Sequence, residues 1–192
     1  MVYVLDKEGV FECRKSQIEG EGAGNGVFCV TNVRAGTILP YYGTTIKDDD
    51  ENEEGDRTYV VSADYTTRFG NQRTVKGYSM DGDPTLPEIQ KLDEYKKLAC
   101  RTNEASDGFA PNCLLVGNPA ISRADIKRSF VDRSPIPVTF IVTIEDLSKG
   151  TELLTCYGDE YGEREYAPCK MRRKRFREMI DIAYKHVDAI KI

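Results

Sequence analysis

The stretch Ile136 to Ile144, IPVTFIVTI, sets Ile136, Val138, Phe140, Val142 and Ile144 on one side of an extended chain, because successive side chains alternate across a strand. It is the clearest strand in the sequence. Shorter β-rich segments punctuated by glycine accompany it: Val10 to Arg14, Gly26 to Thr31, Thr37 to Tyr42, Arg57 to Ala63, Thr74 to Met80 and Cys113 to Val116. The chain is therefore expected to be mostly β with short helices. Two helices are expected. Pro84 to Leu98 has its entry set by prolines and turns Ile89, Leu92 and Leu98 inward. The C-terminal segment carries Phe176, Met179, Ile180, Ala183, Val187 and Ile190 on one stripe.

A chain of 192 residues, 40% of them hydrophobic, can bury one good core, so one compact domain is expected. No apolar run approaches the length of a membrane span, and no secretory signal is visible. The expectation is an intracellular protein of nucleus or cytoplasm that makes no membrane contact. The net charge of -5 is unevenly distributed. Asp48 to Asp56, DDDENEEGD, reads as an acidic insertion (47–56) between strands. Lys170 to Arg177, KMRRKRFR, is basic, and can be either a solvated helix face or a contact for nucleic acid or an acidic protein surface. The six cysteines show no C-x-x-C pair, which fits buried reduced thiols and no metal site.

Common chemistries drop out. The only histidine, His186, sits in the terminal helix, which disfavours Ser-His-Asp and Cys-His hydrolysis and multi-histidine metal sites. No G-x-x-x-x-G-K-[ST] occurs, and Gly20 to Gly26, GEGAGNG, lacks dinucleotide spacing and leads into a strand. Three pieces remain. Gly22 to Gly26 before the strand Val27 to Val30 lets backbone approach a ligand closely, or is a plain hairpin loop. Cys100 to Cys113, CRTNEASDGFAPNC, is too polar for core; Asn103 and Asn112 can tie loop backbones and Pro111 fixes the entry to Cys113. Lys149 to Tyr161, KGTELLTCYGDEY, is a turn and strand ending in Tyr157-Gly158, where the tyrosine is either packing or functional.

The order and wording of these pieces resemble the SET-domain protein lysine methyltransferases. Gly24-Asn25-Gly26-Val27-Phe28 is similar to that family's G-x-G and V-F strand. Val33 to Gly36 with Tyr42-Gly43 resembles its I-x-x-G turn and Y-G. Cys100 to Cys113 resembles R-F-x-N-H-S-x-x-P-N-C, and Gly150 to Gly158 resembles G-E-E-L-T-x-x-Y-G. The match spans about Val10 to Tyr161.

The resemblance implies a β-clip-like SET fold over 1–165, with a helix-containing insert at 57–99 and a basic amphipathic helix at 166–192. It also implies a pseudoknot in which the segments carrying Asn103 and Tyr157 thread together. It implies S-adenosylmethionine as cofactor, held by Gly24, Asn25, Gly26, Asn103, Glu104 and Tyr157. Tyr157 and Tyr59 are the implied catalytic tyrosines, and the implied substrate is a protein lysine, histone or not. That chemistry needs an amine delivered in line to an activated methyl and little acid-base apparatus, in keeping with the lack of histidine. Two residues depart from the pattern: Glu104 replaces the family's histidine and Ala105 its serine. They motivate the alternative of an inactive cofactor- or protein-binding module. Thr155, where the family often has Phe or Tyr, implies room for more than one methyl addition.

Overall fold

The computed structural model describes residues 9–18, 24–48, 59–66, 72–106, 108–157, 169 and 173–187. The acidic run at 49–56 and the side chains of the basic run at 170–176 lie outside the described residues, as does the side chain of His186. The chain falls into two compact units.

The first unit draws on Met1–Leu39, Arg101–Val116 and Ile141–Lys191. Strands β1 (Phe11–Lys15) and β2 (Asn25–Cys29) pair antiparallel, from Phe11 opposite Cys29 to Lys15 opposite Asn25. Val27, Phe28 and Cys29 are buried, while the Arg14 guanidinium lies 3.9 Å over the Phe28 ring and donates to the Gly150 carbonyl. In the second unit, Pro40–Cys100 and Gly117–Phe140, Ala63, Val75, Met80, Ile126 and Val138 form a core flanked by Val61, Tyr78, Ile121 and Ile136. Full burial of an aliphatic side chain of this size contributes about 1.5–3 kcal/mol. Strands β3 (Ile38–Lys47), β4 (Val60–Thr66) and β5 (Gln72–Asp81) meet antiparallel, and β4 carries a register shift between Ser62 and Asp64. With β7 (Cys113–Gly117) and β8 (Ile136–Thr143) they pair in the order β4-β5-β3-β8-β7.

Mostly β with short helices describes the molecule, and the observed strands lie close to the expected ones. β8 buries residues 138–143 on both faces, as a central strand does. Two local expectations need correcting. The helix expected over Pro84 to Leu98 is broken into α1 (Pro87–Gln90) and single 3-10 turns at Glu94–Lys97 and Ala99–Arg101. Leu86 is held extended before Pro87, and Asp93 is extended again at ψ 149°, so no helix can run through. Ile89 and Leu98 are nevertheless buried. Finally, Cys156 and Cys169 are joined as a disulfide with Cα atoms 5.5 Å apart, against the expectation of reduced thiols; Cys13, Cys29 and Cys113 are free thiols. The helix α2 (Arg123–Asp132) was not foreseen, whereas the terminal helix α3 (Arg173–Val187) was, with Met179 and Ala183 buried.

Candidate functional site

Within the first unit, β6 (Asn103–Glu104) and β9 (Leu154–Thr155) pair in parallel, Asn103 opposite Leu154 and Glu104 opposite Thr155. Two residues per strand are too few to hold two loops together unaided. Asn112 supplies the rest by acting as an extra peptide: its Nδ2 donates to the Glu152 carbonyl (2.7 Å), its Oδ1 accepts from Leu154 N–H (2.9 Å), and its own N–H donates to the Leu154 carbonyl (2.9 Å). The N–H of Ala105 donates to the Thr155 carbonyl at 2.8 Å. Asn112 and Ala105 thus close CRTNEASDGFAPNC onto LLTCY.

The bridge sorts its side chains by the two-residue period. Tyr157 and Glu104 meet on the side of Thr155 and Thr102: Glu104 Oε1 accepts from Tyr157 N–H (3.2 Å), and the Tyr157 hydroxyl donates to the Thr102 carbonyl (2.7 Å). Glu104 is buried and Tyr157 half-buried. The hydroxyls of Thr102 and Thr155, both buried, have no hydrogen-bond partner among the described residues, and such groups ordinarily meet water or a ligand.

Asn103 and Glu152 meet on the side of Leu154. Asn103 Nδ2 donates to the Asn25 carbonyl (3.2 Å) and to Glu152 Oε1 (3.1 Å), so this amide ties β6 to the start of β2. Asn25 and Gly24 are exposed, Gly26 is buried, and a Cβ on Gly24 would meet nothing within 4 Å. Gly24 has φ +49°, a conformation glycine adopts without penalty. Of the residues expected to form the site, Gly24, Asn25, Gly26, Asn103, Glu104 and Tyr157 belong to this one unit. Tyr59 belongs to the second, where its carbonyl accepts from the Tyr41 hydroxyl (2.5 Å) and from Gly82 N–H (3.1 Å). Sequence reasoning passed over Glu152 and Thr102. The signal for Glu152 was present: a carboxylate next to Leu153 and Leu154, in a segment read as a strand, needs partners to be buried.

Burial pushes the Cys29 thiol up to about 11, and pushes Cys113, packed beneath the bridge with Sγ 3.2 Å from the Leu154 carbonyl, higher still; Cys29 adds to the shift at Cys113. Neither thiol is a nucleophile at neutral pH. Among the described residues no group of three or more His, Cys, Asp or Glu converges as a metal site, and no helix is long and apolar enough to cross a membrane.

No protein-family model matches the chain, and no curated protein matches it. Among solved structures, it is similar to the methyltransferase domain of human PR domain-containing protein 2, at TM-score 0.47 and 16% identity over 82% of this chain and 83% of that one. It is also similar to a candidate histone methyltransferase of Plasmodium falciparum, at TM-score 0.44 and 21% identity over 81% of this chain and 98% of that one.

Proposed function

We propose that the protein is an S-adenosylmethionine-dependent methyltransferase acting on lysine side chains of a protein substrate, with the site at the β6–β9 bridge. The observation that carries this reading is the Tyr157 hydroxyl seated on the Thr102 carbonyl, 2.7 Å away. Having given its hydrogen to that carbonyl, the tyrosine oxygen has only lone pairs left to offer, and the carbonyl itself has a second one. Both are acceptors, suited to orienting the N–H bonds of a primary amine and to meeting a polarised methyl through weak C–H contacts.

The residues present fit the cofactor. Asn103 has both amide hydrogens engaged, which leaves Oδ1 to receive the ammonium of an amino-acid moiety. Gly24 and Asn25 are exposed, with open space beside Gly24, and the hydroxyls of Thr102 and Thr155, without partners among the described residues, mark a buried polar position near Tyr157. When bound, S-adenosylmethionine supplies a methyl group already activated by its sulfonium. Partial burial around Tyr157 disfavours a charged amine, and a lysine with an ordinary pKa of about 10.4 must enter as the free base. Tyr59 is assigned to the same reaction on family resemblance alone. The substrate is read as a histone or another protein, and Lys170 to Arg177 as a contact for its acidic surface or for nucleic acid; the setting is the nucleus or cytoplasm.

The test is calorimetric titration with S-adenosylmethionine, followed in the same preparation by transfer of labelled methyl to a pool of histones and lysate proteins. Binding with transfer to lysine is expected. Tyr157→Phe should keep the fold and the affinity while lowering turnover roughly a hundredfold, because the variant loses orientation and not binding. Absence of cofactor binding by the wild type would overturn the proposal. Binding without transfer to any substrate would favour an inactive module, the outcome to which Glu104 in place of a histidine points.

A further inference from the structure

One heavily engaged side chain of the first unit is one to which no role has been assigned. Glu152, 3% exposed, receives three hydrogen bonds on its carboxylate: the Ser16 hydroxyl (2.7 Å) and Asn103 Nδ2 (3.1 Å) on Oε1, and the Gln17 N–H (2.8 Å) on Oε2. The chain leaves space for it at Gly26, where a Cβ would sit 2.8 Å from Glu152 Cδ. A carboxylate is suited to this place because both of its oxygens only accept, and all three neighbours donate.

We propose that Glu152 is a positioning residue that sets which end of the Asn103 amide faces a ligand. With Nδ2 drawn to Glu152 and to the Asn25 carbonyl, the side chain offers Oδ1, an acceptor selective for a cationic or N–H-bearing group. This rests on the cofactor reading above and adds to it the origin of the site's polarity. Consider glutamine at 152. A carboxamide has one acceptor oxygen, and the fixed backbone N–H of Gln17 claims it; the new NH2 then faces Ser16, whose hydroxyl can accept, and Asn103, whose Nδ2 cannot. The contact with residue 152 is restored if the Asn103 amide turns over, at the cost of its hydrogen bond to the Asn25 carbonyl, and the turn replaces the offered oxygen by a donor.

The experiment compares two ligands that share the adenine and ribose, S-adenosylhomocysteine with its α-ammonium and 5′-methylthioadenosine without it. Glu152→Gln should weaken the first roughly ten- to a hundredfold, the range of a lost hydrogen bond to a charged group, and leave the second within about twofold. A structural defect would weaken both alike and would overturn the proposal, as would unchanged affinity for both. In an Asn103→Ala background Glu152→Gln should add no further loss; independent losses would mean that Glu152 does not act through Asn103. Nuclear magnetic resonance on the wild type covers a variant that does not fold. Both Asn103 side-chain amide protons should be protected from solvent exchange, and free exchange of either would overturn the orientation. A wild type that binds neither ligand would refute the cofactor reading alone, and the exchange measurement would still decide the role of Glu152.

Discussion

An alanine at Gly26 would place its Cβ 3.2 Å from Asn103 Nδ2 and inside contact distance of the Glu152 carboxylate. Backbone and carboxylate cannot both keep their places. Gly26→Ala is expected to cost about 1–3 kcal/mol, the usual penalty of overpacking, read from urea unfolding. A change below about 0.5 kcal/mol, the size of an ordinary surface substitution, would mean that the carboxylate is not seated against Gly26. Here the sequence was half legible. The glycines of the GAGNG stretch could be read as giving a ligand access to backbone, and Gly24, exposed with positive φ, fits that reading. Gly26 answers to a different need, room for a side chain over a hundred residues away in the chain, and no local pattern announces such a contact.

Helix α2 shows what periodicity misses at the scale of an element. Only Ile126 and Ser129 of Arg123–Asp132 are buried, so the apolar stripe is too thin to register. Its N-terminus is nonetheless written in the sequence as a capping box: Ser122 N–H donates to Asp125 Oδ2 (2.9 Å), and Asp125 N–H to Ser122 Oγ (3.3 Å). Ser122→Ala should therefore cost about 1 kcal/mol at neutral pH. Hydrogen bonds from Ser122 hold the Asp125 carboxyl below its ordinary value of 3.8. A depressed folded value means that the contribution is present above that ordinary value and is lost as pH falls through the folded one. The stability gap between wild type and Ser122→Ala should accordingly narrow in acid, as followed by unfolding at pH 7 and pH 2.5. A constant gap would assign the cap to the serine alone. The strands were more legible than the helices, since β-branched alternation is local, whereas the break at Asp93 is not encoded by any proline or glycine.

For the whole molecule, the buried thiols report cooperative unfolding. Cys29 and Cys113 are each within 1% of full burial, and burial raises both above the range in which a thiolate forms at pH 8. Treatment with iodoacetamide at pH 8 should leave both intact in the folded protein and label both together once denaturant passes the unfolding midpoint, by mass spectrometry of peptides. Labelling of either one well before the midpoint would reveal local opening. The candidate site was legible in part because three separated stretches carried side chains out of keeping with core or plain loop. What remained hidden was how they meet: a parallel pairing of two residues with two leaves no periodic trace. Asn112 was legible as a tie between loop backbones, but its partners at Glu152 and Leu154 lie about forty residues on and carry no local mark of the pairing.

The bridge also has a consequence for how the protein is made. Asn103 and Glu104 leave the ribosome about fifty residues ahead of Leu154 and Thr155, and synthesis at about 5–20 residues per second separates them by several seconds. During that interval β1, β2 and the strands through β8 are already available to pair, whereas Asn112, Asn103 and the Gly26 backbone have no Glu152 or Leu154 to receive them. A nascent chain stalled before Glu152 would contain nearly every described strand and none of the bridge, so the bridge arrives abruptly, with the few residues from Glu152 to Tyr157.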